Sequence, residues 1–296
     1  GKYWSAIDSL LGTKKVIYFS PDGVYNQINV NTLHNAAGEY VLTRREVMLL
    51  GNPKDLLKVK RVSTTGSSKK AFLLGFPDYQ GRATPLPGTR TELENISKVL
   101  KTAGFGVTMK TQAEATETGL RGASGSSLVH IATHGYFISD QQVGTGDVLG
   151  IDAERALANP LLRSGLILST GGTAVKENIG FASSDNGVLT AYEAMNLELT
   201  GTDLLVLSAC ETGLGEVHAG EGVYGLQRAF LVAGARTIIM SLWKVDDQAT
   251  QELMNGFYLA MTKNPNRLQA FRYAQLKLME KYKDPYFWGA FVIMGM

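Results

Sequence analysis

From Ala71 onward the chain alternates short apolar runs with helical patterns, and this rhythm narrows the fold more than any single residue does. AFLLGF leads into the helical stretch TELENISKVLKTAG, GVTMK leads into EATETGLRGA, and SLVHIATHG follows. After an irregular stretch the alternation resumes with DLLVLSAC, YGLQRAFLVAG, TIIMSLW, QATQELMNGFYLAMTK, RLQAFRYAQLKLMEK and WGAFVIM. Apolar runs of this kind are strands buried on both faces, and strands separated by helices pair in parallel through crossovers. The expected architecture is α/β, with a doubly wound, mainly parallel sheet of about six strands. A chain of 296 residues, 44% of them hydrophobic, has enough apolar material for that core.

Residues 1–66 read differently. Between Lys14 and Leu57 the β-like runs VIYFS, VYNQINV and YVLTRREVMLL are broken at Pro21-Asp22-Gly23 and Ala37-Gly38, a pattern of β-hairpins with small helices. The polar stretch KRVSTTGSSKK then has the composition of a mobile linker or surface loop. This places an N-terminal hairpin subdomain at 1–66 and the main domain at 67–296. Residues Tyr136 to Asn186 form a Gly-, Ser- and Asp-rich insertion containing one apolar run, SGLILST. Long insertions at the carboxyl ends of strands carry substrate-contacting loops in such folds, and this one reads equally well as a plain surface loop.

Charge and cysteine content remove several function classes. The net charge is only +2, and no dense basic stripe is interleaved with aromatics, so nucleic acid is not expected as a direct ligand. One cysteine excludes an internal disulfide framework and any CxxC zinc site, and fits a reducing, cytoplasmic setting, where the sequon at Asn95-Ile96-Ser97 would be coincidental. No apolar stretch approaches the roughly 20 residues of a membrane span and the first residues do not read as a charged-then-apolar leader, so neither is expected. The first residue is Gly, as expected of a fragment of something longer. No P-loop is present. Gly220, Gly222 and Gly225 satisfy G-x-G-x-x-G, but the first lies ten residues beyond the strand ending at Cys210. A dinucleotide fingerprint needs its tight turn directly after the strand, so these glycines are read as shaping a loop, and no cofactor is expected.

The chemistry concentrates at two strand ends. LLVLSAC stops at the only cysteine, Cys210, and SLVHIATHG ends with His134 and Gly135. Neighbouring parallel strands would bring the thiol and the imidazole together there. A cysteine protease needs a thiolate or activated thiol, a base that takes and returns the proton, and N–H donors for the oxyanion. Cys210 and His134 can supply the first two, and the backbone amides of Gly135 and Cys210 the third. An isolated Cys on an apolar strand is equally consistent with core filling. Among the other histidines, His130 sits mid-strand as a core residue, His34 lies in the N-terminal hairpins, and His218 in a Gly-rich loop is the rival base. The strand end favours His134, because it fixes the ring where a loop would not.

ATHGY, SACETGLGE, EGVYGLQRAFLVAGARTIIMSLWKVDDQAT and DPYFWGAFVIMG, with SPDGVYNQINVNTLH near the start, resemble the CHAT domain family. This is a caspase-like family often fused to tetratricopeptide repeats and grouped with caspases, separases and clostripain-like enzymes. The resemblance implies a caspase-like three-layer sandwich, with His134 as base and Cys210 as nucleophile. SACETG departs from the caspase form QACRG, and the His-to-Cys separation exceeds the ~50 residues of caspases, which argues against Asp specificity.

The run LWKVDD resembles the LW-x-V-x-D segment of separases, whose acidic residue binds a basic P1 side chain, so the resemblance points to Asp247 or Asp246 as a selector of Lys or Arg. Either also stands directly before a helical pattern, where Asp is a preferred N-cap. Glu221 and Glu211 are weaker S1 candidates. The expectation is a cysteine endopeptidase cutting protein substrates after a basic residue, gated by an upstream repeat region or a regulatory protein, with no membrane and no nucleic-acid partner. Arg163-Ser164 would be a self-cleavage point under that specificity. The alternative is a non-catalytic scaffold module.

Overall fold

The computed structural model describes residues 4–21, 25, 28–59, 68–138, 153–170, 185–211, 221–244 and 246–295. Its strands are β1 (Val16–Phe19), β2 (Glu46–Leu49), β3 (Lys70–Pro77), β4 (Gly106–Gln112), β5 (Leu128–Phe137), β6 (Ser164–Ile167), β7 (Val188–Thr190), β8 (Leu204–Glu211), β9 (Thr237–Ser241) and β10 (Phe291–Gly295). All belong to one sheet, in the order β1-β2-β10-β9-β8-β5-β3-β4, with β6 and β7 branching from the end of β5. The centre, from β4 to β9, is parallel.

Alternation along each strand divides the apolar residues between two helical layers. On one face Leu73, Leu128, Ala132, Val206 and Ile239 pack against helices Pro87–Thr102, Asp247–Lys263 and Arg267–Lys281. On the other, Phe72, Val129, Ile131, Leu205, Leu207 and Met240 pack against Leu120 and Ala123 and against Ala229 and Phe230 of helix Glu221–Val232. Three layers follow from strands that are apolar on both sides.

β10 runs antiparallel to β9 because two long helices, Asp247–Lys263 and Arg267–Lys281, followed by the short helix Pro285–Trp288, connect them. A single crossover helix returns the chain for a parallel strand. A second, packed back along the first, carries it to the opposite end, so the next strand must run the other way.

The N-terminal segment departs from the hairpin expectation. β1 and β2 are parallel partners, and β2 joins β10 through Met294 and Leu49, so the segment extends the main sheet. The turn residues signalled short connections. The link from β1 to β2 instead spends residues 30–32 on a 3-10 turn and 41–44 on a short helix, enough length for a crossover. Residues 60–67, where the subdomain boundary was expected, lie outside the described residues.

The described residues of the insertion after β5 include a strand of the main sheet. β6 turns back antiparallel on β5, pairing Ile167 with His134 and Leu166 with Gly135, and β7 pairs with β6. Ser164 begins β6 with 2% of its surface exposed, so Arg163-Ser164 is not presented as a loop peptide bond and the self-cleavage reading does not hold there.

Candidate active site

β5 and β8 are neighbouring parallel strands, and their ladder runs without a shift from Leu128↔Leu204 to Gly135↔Glu211. His134 and Cys210 are therefore direct register partners. Adjacent strands lie about 4.8 Å apart, so the two positions stand side by side at the carboxyl end of the sheet, where such folds place ligand chemistry. The side chains of Cys210, Glu211 and Glu221 lie outside the described residues, as does His218.

His134 is 8% exposed, and its orientation is set by the loop between β3 and helix Pro87–Thr102. Nε2 lies 2.7 Å from the Thr84 carbonyl oxygen. A carbonyl only accepts, so Nε2 must carry the proton, and the neutral ring keeps its lone pair on Nδ1. Burial pushes the imidazole pKa below its ordinary value. The Thr84 carbonyl opposes this, Lys244 adds to it, and Asp247 opposes it. At neutral pH the ring rests uncharged, the state a general base requires.

Tyr79, from the same loop, supports the ring. Its centroid is 5.1 Å from that of His134, at a 45° tilt. Its hydroxyl is 2.9 Å from Thr133 Oγ1, and Thr133 donates to the Ile167 carbonyl, so Tyr79 is the donor to Thr133. This chain crosses from loop to β5 to β6. Burial pushes the Tyr79 phenol up to about 12, so it stays protonated. On the Cys210 side, Ser241 Oγ donates to the Ala209 carbonyl at 2.6 Å and holds the peptide that leads into Cys210.

The two aspartates part company. Asp246 is the N-cap of helix Asp247–Lys263, accepting from the Ala249 amide at 3.0 Å. Asp247, in the first turn, is exposed and close enough to His134 to act on its charge. Gly135 follows the base, flanked in register by Leu166 and Glu211. Gly225 lies inside helix Glu221–Val232, where a Cβ would stand 2.9 Å from Ser164 Oγ, so close helix-to-strand packing accounts for that glycine. Gly220 lies outside the described residues.

His130 is a core residue, as its mid-strand position implied. It is fully buried, with Nδ1 3.0 Å from the Tyr258 hydroxyl and Nε2 3.1 Å from Glu92 Oε1. Sequence reading missed Thr84, Tyr79 and Ser241. Thr84 acts through its backbone oxygen, which no residue pattern encodes. Tyr79 carried one available signal, its place in the loop just beyond a strand of the parallel sheet.

Comparison with known proteins bears on the family and the fold. Residues 4–296 match the CHAT domain model. A stretch of 111 residues is 32% identical to mouse tetratricopeptide repeat protein 28, covering 36% of this chain and 4% of that protein; the human protein matches equally. The chain thus spans only a small part of these relatives. Among solved structures, the Arg specific cysteine proteinase gingipain R matches with a TM-score of 0.52 at 14% identity, over 98% of this chain and 66% of that one. Saccharomyces cerevisiae separase, in its complex with securin, matches with a TM-score of 0.50 at 11% identity, over 92% of this chain and 15% of that one. At such identities these structures establish a shared caspase-like fold. Among the described residues no helix is long and apolar enough to cross a membrane. With the family model matching from residue 4 to residue 296, the chain belongs to the CHAT domain family.

Proposed function

We propose that the chain is a cysteine endopeptidase that cleaves protein substrates through a Cys210–His134 dyad. The observation that carries this reading is the register of His134 with Cys210, combined with an imidazole whose Nε2–H is committed to Thr84. In the proposed mechanism, Nδ1 takes the thiol proton as sulfur attacks the scissile carbonyl carbon. The resulting oxyanion is held by the amides of Cys210 and Gly135. Nδ1–H then gives its proton to the departing amine, leaving a thioester. Water attacks that thioester with His134 again as base, releasing the acid and restoring the thiol.

For P1 selection the reading favours Asp247 over Asp246. A carboxylate spent on capping three residues downstream has less freedom to pair with a substrate, and Asp247 carries no such duty. Glu211 and Glu221 remain weaker candidates. Relatives named for tetratricopeptide repeats support control by an attached repeat region or a protein partner. The test is a search for new N-termini by mass spectrometry in a lysate treated with wild type or Cys210→Ala. Cleavages after Lys or Arg that vanish in the variant support the proposal; identical profiles contradict it.

A further inference from the structure

We propose that Arg82 is a positioning residue for His134, its guanidinium tying the loop that anchors the base to the chain entering β7 while the neighbouring Gln80 ties the same loop to the chain leaving β6. This rests on the reading of His134 as the base for Cys210. Arg82 Nη1 donates to the Asn186 carbonyl at 2.6 Å, and Thr170 Oγ1 donates to Gln80 Oε1 at 3.0 Å. Gln80 and Gly81 both have positive φ, 50° and 81°, which makes the loop a tight turn whose next residues are Arg82, Ala83 and Thr84. The carbonyl that receives His134 Nε2–H is therefore two residues from the guanidinium.

The far side of this clasp is built to receive it. Gly187 has a φ of +82°, and a Cβ there would stand 2.6 Å from Arg82 Nη1, so a side chain at 187 would occupy the guanidinium's place. The receiving segment is itself held. Glu117 Oε1 accepts from the Gly187 and Val188 amides, Asp185 Oδ1 accepts from the Thr118 amide, and the Leu168 amide donates to the Gly187 carbonyl. Arg82 thus connects the loop that carries Thr84 to a segment pinned on two sides. Without that tie the Thr84 carbonyl no longer has a fixed position, the preference for the Nε2–H tautomer weakens, and the Nδ1 lone pair is lost from part of the population.

Cys210 is the only cysteine, so iodoacetamide alkylation followed by intact mass reads that thiol alone. Its rate is measured between pH 5 and 9 for wild type, His134→Ala, Arg82→Ala and Thr170→Val. An unassisted thiol of pKa near 8.5 is only about 3% thiolate at pH 7, so loss of the base slows alkylation there by up to about thirtyfold. Arg82→Ala is expected to move at least threefold toward His134→Ala and to lose the acid-limb inflection of the wild type. A folded Arg82→Ala with the wild-type profile overturns the proposal. If Arg82→Ala shows no cooperative melting, Thr170→Val, which removes one hydroxyl, is judged by the same criterion. If wild type and His134→Ala coincide, the dyad reading fails instead. The 15N shifts of the His134 ring then decide the role of Arg82, an unchanged Nε2–H signature in the variant overturning it.

Discussion

Replacing Glu117 by Gln is expected to stabilise the protein increasingly as pH rises from 5 to 8. Glu117 is 7% exposed, and its pKa is raised from 4.5 to about 7, first by burial and then by Glu193, with Asp185 adding and the Gly187 and Val188 amides opposing. The folded value is the higher one, so the native state holds this proton more tightly than the unfolded chain. Its contribution is complete below the ordinary carboxylate value and is lost as pH rises through about 7. At about 1.4 kcal/mol per pH unit the whole gap corresponds to about 3 kcal/mol, and about 2 kcal/mol of it falls between pH 5 and 8. Gln keeps the oxygen that accepts from both amides, so the comparison isolates the charge. The expected signature is a melting-temperature advantage for Glu117→Gln that widens by about 4 to 8 °C across that range. An advantage that stays constant or shrinks with pH would refute the reasoning.

Three further substitutions separate structure from function. Asp246→Ala removes the cap of helix Asp247–Lys263 and is expected to cost about 1 kcal/mol in urea unfolding without altering P1 preference. Asp247→Asn is expected to change stability by less than about 0.5 kcal/mol while weakening reaction with basic P1 probes by tenfold or more, read from inactivation kinetics. Tyr258→Phe takes the partner from buried His130 Nδ1 and is expected to cost about 1 to 3 kcal/mol by the same unfolding assay.

The elements most legible in the sequence are those buried on both sides. β3, β5, β8 and β9 are largely apolar runs because helices cover both faces. β10 was legible as a strand but not in its direction, which depends on how two helices pack and not on its own residues. VYNQINV has strand-like residues, yet Val30–Thr32 form a 3-10 turn capped by the Asn29 side chain, local hydrogen bonding that outweighs propensity. β7 is three residues long, too short for a period, and is defined by its partner β6. The site shows the same division. His134 and Cys210 are visible as residue types at strand ends, whereas the groups that orient the base, the Thr84 carbonyl and the Arg82 clasp, exist only once the loop closes over β5.

The most direct test of the central claim is covalent labelling by an acyloxymethyl ketone carrying arginine at P1, followed by intact mass and peptide mapping, in wild type and His134→Ala. The account predicts one label per chain, located at Cys210, strongly reduced in His134→Ala and by an aspartate at P1. Labelling that is absent from the wild type, or undiminished in His134→Ala, would contradict it.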